Sequence, residues 1–243
     1  MKVAFISFSF GEGYKEITSR MISSIKKHIK GCEDLEVFVV SDQLFENAKC
    51  YLVEDPQDST FVKMNKYSWI IDLKDKLNYF DLLYVIDADC VAVNDIYLQE
   101  ILPRQKDSVI CVTHPWQISG KNERLVDSNP NSNAYLKNID TYIQSCFFGA
   151  YKETLLFLSV KLANWAVEDR SKNIVPKWFD ESYLNKYITQ NDVTYLGQEY
   201  ACPSTFSLDL PDFVSYSNSD KNSVKIVHFN FHTGCHDLSV LDN

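Results

Sequence analysis

Two carboxylates, Asp87 and Asp89, are separated by one residue and follow directly after the apolar segment 82–86. That segment is short and partly β-branched, which is typical of a strand buried on both faces of a mostly parallel sheet. Alternate residues of a strand point to the same side, so an extended chain would aim both carboxylates one way. Such a pair can hold Mg²⁺ or Mn²⁺ and leave coordination positions for a diphosphate. Ligands of open α/β sheets bind beyond the carboxyl ends of strands, where this pair lies.

A second acidic pair, Asp180 and Glu181, lies in the segment 178–187. The apolar spacing of this segment predicts a helix, and the pair falls in its first turn, where carboxylates match the positive end of the helix dipole. Both pairs also have purely structural explanations. Asp180 and Glu181 fit an N-cap pair, and a D-x-D sequence often holds one turn-capping aspartate and one solvated aspartate.

Strands and helices alternate around these residues, which predicts an α/β domain with a mostly parallel sheet. Strands are predicted at 2–10, 35–40, 82–86, 108–112, 142–150 and 224–227, with 91–93 continuing the strand that carries the aspartates. Helices are predicted at 14–29, 61–77, 153–168 and the segment containing the second acidic pair. Segment 44–53 fits either a loop or a short strand. Gly11 and Gly13 lack the third glycine of a dinucleotide fingerprint, so a plain turn is expected there.

Composition excludes several classes of protein. The chain has 243 residues, 45% of them hydrophobic, and a formal net charge of −9, which argues against a binder of duplex nucleic acid. No apolar run approaches the ~20 residues of a transmembrane helix, and the N-terminus has no signal-peptide pattern. The seven cysteines are scattered, with no C-x-x-C, which favours free thiols over disulfides or a zinc site. We therefore expect a soluble, cytoplasmic protein.

We predict one domain over residues 1–243. Within it, the segment 117–138 is rich in Ser, Asn, Asp, Gly and Lys, and a polar loop of that length is usually a lid or a binding loop. The C-terminal tail, 226–243, contains three histidines and no Lys or Arg. These histidines are His228, His232 and His236.

Five segments, in chain order, resemble glycosyltransferase family 6, which includes the histo-blood-group A and B transferases, the α-1,3-galactosyltransferases and soluble bacterial and phage-type relatives. They are Val40-Ser41-Asp42, Asp87-Ala88-Asp89, Thr113-His114-Pro115, Phe147-Phe148-Gly149 and Trp178-Phe179-Asp180-Glu181-Ser182-Tyr183-Leu184-Asn185-Lys186-Tyr187. The last is similar to the family's W-H-D-E-S-x-L-N-K-Y and departs from it only at Phe179. The likeness runs from about Tyr14 to Pro203, most of the chain.

The resemblance implies a metal-dependent retaining transferase of GT-A fold, a Rossmann-like sheet flanked by helices. It would move galactose or N-acetylgalactosamine from a UDP-sugar donor to an oligosaccharide or glycan acceptor in α-1,3 linkage. Carried over by position, Asp87 and Asp89 would bind Mn²⁺ (or Mg²⁺) and the donor diphosphate. Glu181 would be the nucleophile on the donor sugar or would stabilise oxocarbenium charge in a front-face route. Asp180 would hydrogen-bond hydroxyl groups of the donor sugar.

The resemblance assigns further positions by the same route. Phe8, Phe10 and Tyr14 would line the uracil and ribose pocket. Gln144 and Cys146 fall where the family sets its preference between galactose and N-acetylgalactosamine, and His114 and Trp178 would hold the acceptor. Lys66 lies about where the family has an arginine that contacts the donor. The lysine keeps the positive charge but cannot donate the two parallel hydrogen bonds of a guanidinium group.

Three departures from the family's pattern affect these expectations. Phe179 replaces the usual histidine, the acidic residue expected after Tyr200 is missing from 201–204, and the tail lacks the basic residues that close over the diphosphate. His228 resembles the metal-binding histidine of another retaining GT-A family, that of glycogenin, and is a candidate third metal ligand. The alternatives are a family 8-like transferase using another UDP-hexose and a non-catalytic carbohydrate-binding relative.

Overall fold

The computed structural model describes residues 1–115, 125–204, 215–216, 219–229 and 238–241. The strands are β1 (Lys2–Ser9), β2 (Ile29–Lys30), β3 (Asp34–Ser41), β4 (Lys49–Leu52), β5 (Leu82–Ile86), β6 (Cys90–Ala92), β7 (Ile96–Tyr97), β8 (Val109–Thr113), β9 (Ile143–Tyr151), β10 (Val193–Leu196), β11 (Cys202–Pro203) and β12 (Ile226–His228). The α-helices are α1 (Lys15–His28), α2 (Ser59–Asp72), α3 (Lys74–Leu77), α4 (Lys152–Ser171) and α5 (Phe179–Ile188).

Seven strands form the central sheet, in the order β10-β8-β9-β5-β1-β3-β4. All neighbouring pairs are parallel except those of β9, which runs antiparallel to both β5 and β8. The predicted α/β class with a mostly parallel central sheet flanked by helices is confirmed. Because β9 is reversed, its first residues lie beside the last residues of β5 and β8. Side chains from three strands therefore meet at one edge of the sheet.

The alternation of side chains along the strands separates two apolar layers. Ala4 and Ile6 of β1 pack with α2, α4 and α5 on one face of the sheet. Val3 and Phe5 of the same strand pack with α1 on the other face. The central strands are apolar on both sides for this reason, as expected of a sheet covered by helices.

The predicted continuation of β5 through 91–93 is wrong. Ala88 and Asp89 form a turn, in which the Cys90 N–H donates to the Asp87 carbonyl at 3.1 Å. The chain then enters β6, which belongs to a separate three-stranded sheet of order β11-β12-β6. The two aspartates are thus placed by a turn between two sheets, and the expectation that they lie on one extended strand is also wrong.

The described part of the polar segment 117–138 is held by a buried carboxylate on α4. Asp169 accepts hydrogen bonds from the Ser132 hydroxyl at 2.8 Å and from the Asn133 backbone N–H at 3.0 Å. Residues 117–124 of this segment lie outside the described residues, as do His232 and His236 of the tail. The extent of the domain over the whole chain stays a prediction. No helix in the described ranges has the length and apolar character needed to cross a bilayer.

Gly149 on β9 provides a test of packing between the central strands. A Cβ at this position would overlap the Tyr84 ring and lie 2.9 Å from the Leu83 carbonyl oxygen. We expect Gly149→Ala to lower the free energy of unfolding by about 1–3 kcal/mol because the core must shift to accept the methyl group. Urea unfolding measures this change. Gly13→Ala is the control, since a Cβ there meets nothing within 4 Å, and equal stability of the two variants would contradict the packing described.

Candidate functional site

The candidate site lies where β5 ends and β9 begins. The backbone N–H of Asp87, the first residue after β5, donates to the Cys146 carbonyl at 2.8 Å. Strand β8 ends alongside, and the N–H of His114 donates to the Tyr142 carbonyl at 2.9 Å. These bonds bring the turn that carries the aspartates against the first residues of β9.

Asn185 of α5 fixes that helix to the start of β9. Its side-chain oxygen accepts from the Ile143 N–H at 2.9 Å, and its amide donates to the Ile143 carbonyl at 3.0 Å and to the Glu181 carbonyl at 2.9 Å. The side chain is fully buried, and three hydrogen bonds offset the cost of burying its polar groups. Reasoning from the sequence missed Asn185, although its place four residues after Glu181, one helical turn away, was the available signal.

Asp180 and Glu181 do not cap α5, so the N-cap explanation is wrong. The N-cap residue is Trp178, whose side chain makes no capping bond, while its backbone N–H donates to the Ser182 hydroxyl at 3.0 Å. The following residue, Phe179, has a φ of 51°. Asp180 and Glu181 instead have partners on other elements.

Lys66 of α2 joins the two acidic pairs. Its ammonium nitrogen lies 2.7 Å from an Asp180 carboxylate oxygen and 3.1 Å from an Asp87 carboxylate oxygen. The residue is only 5% exposed. Burial would lower the pKa of Lys66, but the two carboxylates outweigh burial and raise it, so the lysine is charged. Lys66, which was expected to contact the donor, is therefore also the counter-ion of one carboxylate in each acidic pair.

Glu181 is half-buried against the first residues of β9. Its carboxylate accepts from the Ser145 backbone N–H at 3.0 Å. Burial, with the negative charge of Asp180, raises the pKa of the Glu181 carboxyl to about 8, although the Ser145 N–H and the nearby Tyr142 hydroxyl oppose this shift. A carboxyl with such a pKa can change its ionisation near neutral pH, which is typical of groups that take part in catalysis.

His228 completes a cluster with the first acidic pair. Its Nε2 lies 3.5 Å from an Asp89 carboxylate oxygen, and one ligand atom from each of Asp87, Asp89 and His228 lies within 4.8 Å of the other two. The next residue, Phe229, donates its N–H to the Asp89 carbonyl at 2.9 Å. Two carboxylates and an imidazole suit Mn²⁺ and related divalent ions. The residues present therefore fit the metal that the resemblance implies.

The two positions expected to set sugar preference are buried between β8 and β9. The Gln144 amide donates to the Thr113 carbonyl at 3.2 Å, and its oxygen accepts from the Cys146 thiol at 3.6 Å. Both side chains thus belong to the first residues of β9, the strand that also supplies the Ser145 N–H to Glu181.

Of the three aromatic residues expected to line a nucleoside pocket, Phe8 and Phe10 share one neighbour and Tyr14 lies close to the first acidic pair. Phe8 and Phe10 both contact Trp69 of α2. Their ring centroids lie 6.0 and 5.3 Å, respectively, from that of Trp69. Phe8 is buried and lies 5.8 Å from the Lys66 ammonium. Burial and the charges of Asp89 and Asp87 raise the pKa of the Tyr14 hydroxyl, which places Tyr14 near the first acidic pair.

The two expected acceptor residues lie in different environments. The His114 ring packs edge-on to Tyr142 at 5.6 Å, and burial, together with the charge of His228, lowers the pKa of His114 to about 3. His114 is therefore neutral at physiological pH. Trp178 is 37% exposed at the start of α5 and presents an aromatic surface to solvent, as sugar-binding tryptophans do.

Comparison with known proteins identifies a family that this chain resembles over most of its length. A family model described as glycosyltransferase family 6 matches residues 54–215, which is more than half of the 243 residues. The matched range contains both acidic pairs, Lys66 and the start of β9. The chain is also 27% identical, over 149 residues, to the O-antigen biosynthesis glycosyltransferase WbnI of Escherichia coli. The match covers 58% of this chain and 60% of WbnI, so the chain spans less than two thirds of that relative.

Titration of Glu181 tests the electrostatics of the site. We expect the Glu181 carboxyl to titrate with a pKa of about 8 in an NMR titration that follows the glutamate side-chain carboxyl carbons. Tyr142→Phe removes a hydroxyl that lowers the pKa of Glu181, so the pKa should rise further. Tyr97→Phe, an exposed residue on β7, is the control and should leave the titration of Glu181 unchanged. A pKa of Glu181 near 4 in the unmutated protein would contradict the buried position.

Proposed function

The chain belongs to glycosyltransferase family 6, and we propose that it transfers galactose or N-acetylgalactosamine from a UDP-sugar to a sugar hydroxyl, with retention of configuration and in α-1,3 linkage. The chain has the GT-A fold, and membership of the family makes it a glycosyltransferase. One observation carries the finer proposal: Lys66 bridges Asp87 and Asp180. This bridge places the acidic pair suited to a diphosphate and the acidic pair suited to a sugar in one site.

We propose that Asp87, Asp89 and His228 hold a divalent cation, Mn²⁺ or Mg²⁺, together with the donor diphosphate. When bound, the ion supplies a Lewis acid that neutralises charge on the departing UDP. The support is the mutual distance of the three ligand atoms, all within 4.8 Å of one another. His228 would take part of the role that a basic tail has in the family, because the tail 226–243 contains no Lys or Arg.

Glu181 is proposed to face the anomeric carbon of the donor sugar. In a double displacement, its oxygen bonds to that carbon as the bond to UDP breaks, and the acceptor hydroxyl then replaces it. In a front-face reaction, the same carboxylate stabilises oxocarbenium charge without forming a bond. Both routes need the ionised form, and both are supported by the N–H of Ser145, which holds the carboxylate in position, and by the Tyr142 hydroxyl, which favours the ionised form.

Asp180 is proposed to position the donor sugar. Lys66 compensates its charge at 2.7 Å, and a carboxylate has lone pairs left to accept from sugar hydroxyls. For the acceptor we propose an oligosaccharide or glycan held by Trp178 and His114. The name of WbnI, which refers to O-antigen biosynthesis, supports a bacterial surface glycan as the class of acceptor.

Release of UDP tests the proposed donor and metal. We expect the protein to release UDP from UDP-galactose or UDP-N-acetylgalactosamine with Mn²⁺ present and to stop when the metal is chelated. Asp89→Asn should raise the Mn²⁺ concentration needed for half-maximal rate about 10-fold or more, because a charged ligand is lost. Asp107→Asn, an exposed position, is the control and should behave as the unmutated protein. Binding of the UDP-sugars without any release of UDP would instead favour a non-catalytic relative.

Glu181→Gln should reduce the rate at least about 100-fold, since it removes a charge that acts on the transition state. In the unmutated protein kcat/KM should rise with pH and level off above about 8, as the carboxyl with its raised pKa ionises. Because the amide cannot ionise, that rise should be lost in Glu181→Gln. Glu153→Gln, on the exposed face of α4, is the matched control. A rate near that of the unmutated protein would remove Glu181 from the mechanism.

A further inference from the structure

Three soft metal ligands meet behind the acidic pair. Cys90 of β6, Cys146 of β9 and His228 of β12 each offer a ligand atom within 4.8 Å of the other two. Cys90 and Cys146 are 0% and 2% exposed, and His228 is 7% exposed. The three residues are far apart in the sequence, so no sequence motif indicates the cluster.

The backbone explains why these side chains converge. Cys90 and His228 are directly paired across the small sheet, where β6 and β12 run antiparallel. Cys146 reaches the same place from the central sheet, because its carbonyl accepts the Asp87 N–H at 2.8 Å and the Cys90 thiol at 3.8 Å. The cluster is therefore built into the junction between the two sheets.

One nitrogen of His228 lacks a partner in the described ranges. Its Nε2 faces Asp89 at 3.5 Å. Its Nδ1 is buried and has no hydrogen-bond partner among the described residues. A buried polar atom without a partner costs free energy, and a bound ligand would remove that cost.

We propose that Cys90, Cys146 and His228 form a second metal site that takes a thiophilic ion such as Zn²⁺ or Cd²⁺. Thiolates and imidazole prefer these ions, whereas the carboxylates of Asp87 and Asp89 prefer Mn²⁺ or Mg²⁺. A tetrahedral ion would have three protein ligands, which leaves the fourth position for water or for the nearby Asp89 carboxylate. Binding forms two metal–sulfur bonds and releases the thiol protons to solvent.

The two sites share His228, and a neutral imidazole has only one nitrogen with a lone pair free for a metal, so the two sites compete. When the thiophilic ion takes His228, the acidic pair loses its third ligand. A thiophilic ion would then inhibit the transferase, whereas Mn²⁺ would support it. This competition rests on the proposed function, because it requires His228 to be a metal ligand of the acidic site. Binding of a metal ion at the two cysteines does not depend on the proposed function.

The test is a Cd²⁺ titration of the full, reduced and metal-free chain, followed by the ultraviolet thiolate-to-metal charge-transfer band. We expect the band to saturate at one Cd²⁺ per chain. Loss of a residue that merely supports a metal ligand lowers affinity about 10- to 100-fold, so Cys90→Ser and Cys146→Ser should each weaken binding at least that much. Cys32→Ser changes a half-buried thiol away from the cluster and should leave the titration unchanged.

Thermal unfolding tests the same site without substituting a cysteine, which matters if the cysteine variants are unstable. Cd²⁺ should raise the Tm of the unmutated protein, and His228→Gln, which retains both thiols, should lose most of that rise. The proposal is overturned if no band forms, or if Cys90→Ser and Cys146→Ser bind Cd²⁺ as the unmutated protein does.

Two comparisons separate this proposal from the proposed function. A band that forms in a protein releasing no UDP would support the thiolate site and count against the transferase reaction, while UDP release without a band would do the reverse. Mn²⁺ should weaken Cd²⁺ binding in the unmutated protein and do so less in Asp89→Asn. Equal Cd²⁺ affinity with and without Mn²⁺ would overturn the sharing of His228.

Discussion

The site depends on one buried cation. Lys66 lies between Asp87 and Asp180 and is almost fully removed from water. Without it, two carboxylates would lie close together with no compensating positive charge. With it, the charge of both is compensated, and the end of β5 is tied to the first turn of α5 through a side chain of α2. Breaking a buried ion pair by removing one partner costs about 3–5 kcal/mol, less here because Asp87 is partly exposed.

The reversed strand β9 provides the second constraint. Because it runs against its neighbours, its first residues lie at the carboxyl ends of β5 and β8. The backbone of those residues supplies an N–H to Glu181 and a carbonyl to the Asp87 N–H. Asn185 then holds α5 against the same strand. The Glu181 carboxyl is thus placed by backbone groups and by the helix, so its position does not depend on a flexible loop.

His228 connects the central sheet with the small three-stranded sheet. Its Nε2 lies 3.5 Å from an Asp89 carboxylate oxygen, and the same side chain offers a ligand atom within 4.8 Å of two thiols. Carboxylates and thiols thus lie side by side around one imidazole, and the two sets of ligand atoms prefer different metal ions.

The sequence alone determined the α/β class, most strands and helices, and the two acidic pairs, because hydrophobic periodicity and short polar segments at strand ends are local signals. The ten-residue segment around Glu181 also indicated the family. Tertiary structure decided that β9 is reversed, that a turn carries Asp89, and that Lys66, Tyr142 and Asn185 support the carboxylates. It also brought Cys90, Cys146 and His228 together. These features come from pairings between residues far apart in the chain, and no local pattern specifies which distant strand or side chain will be the partner.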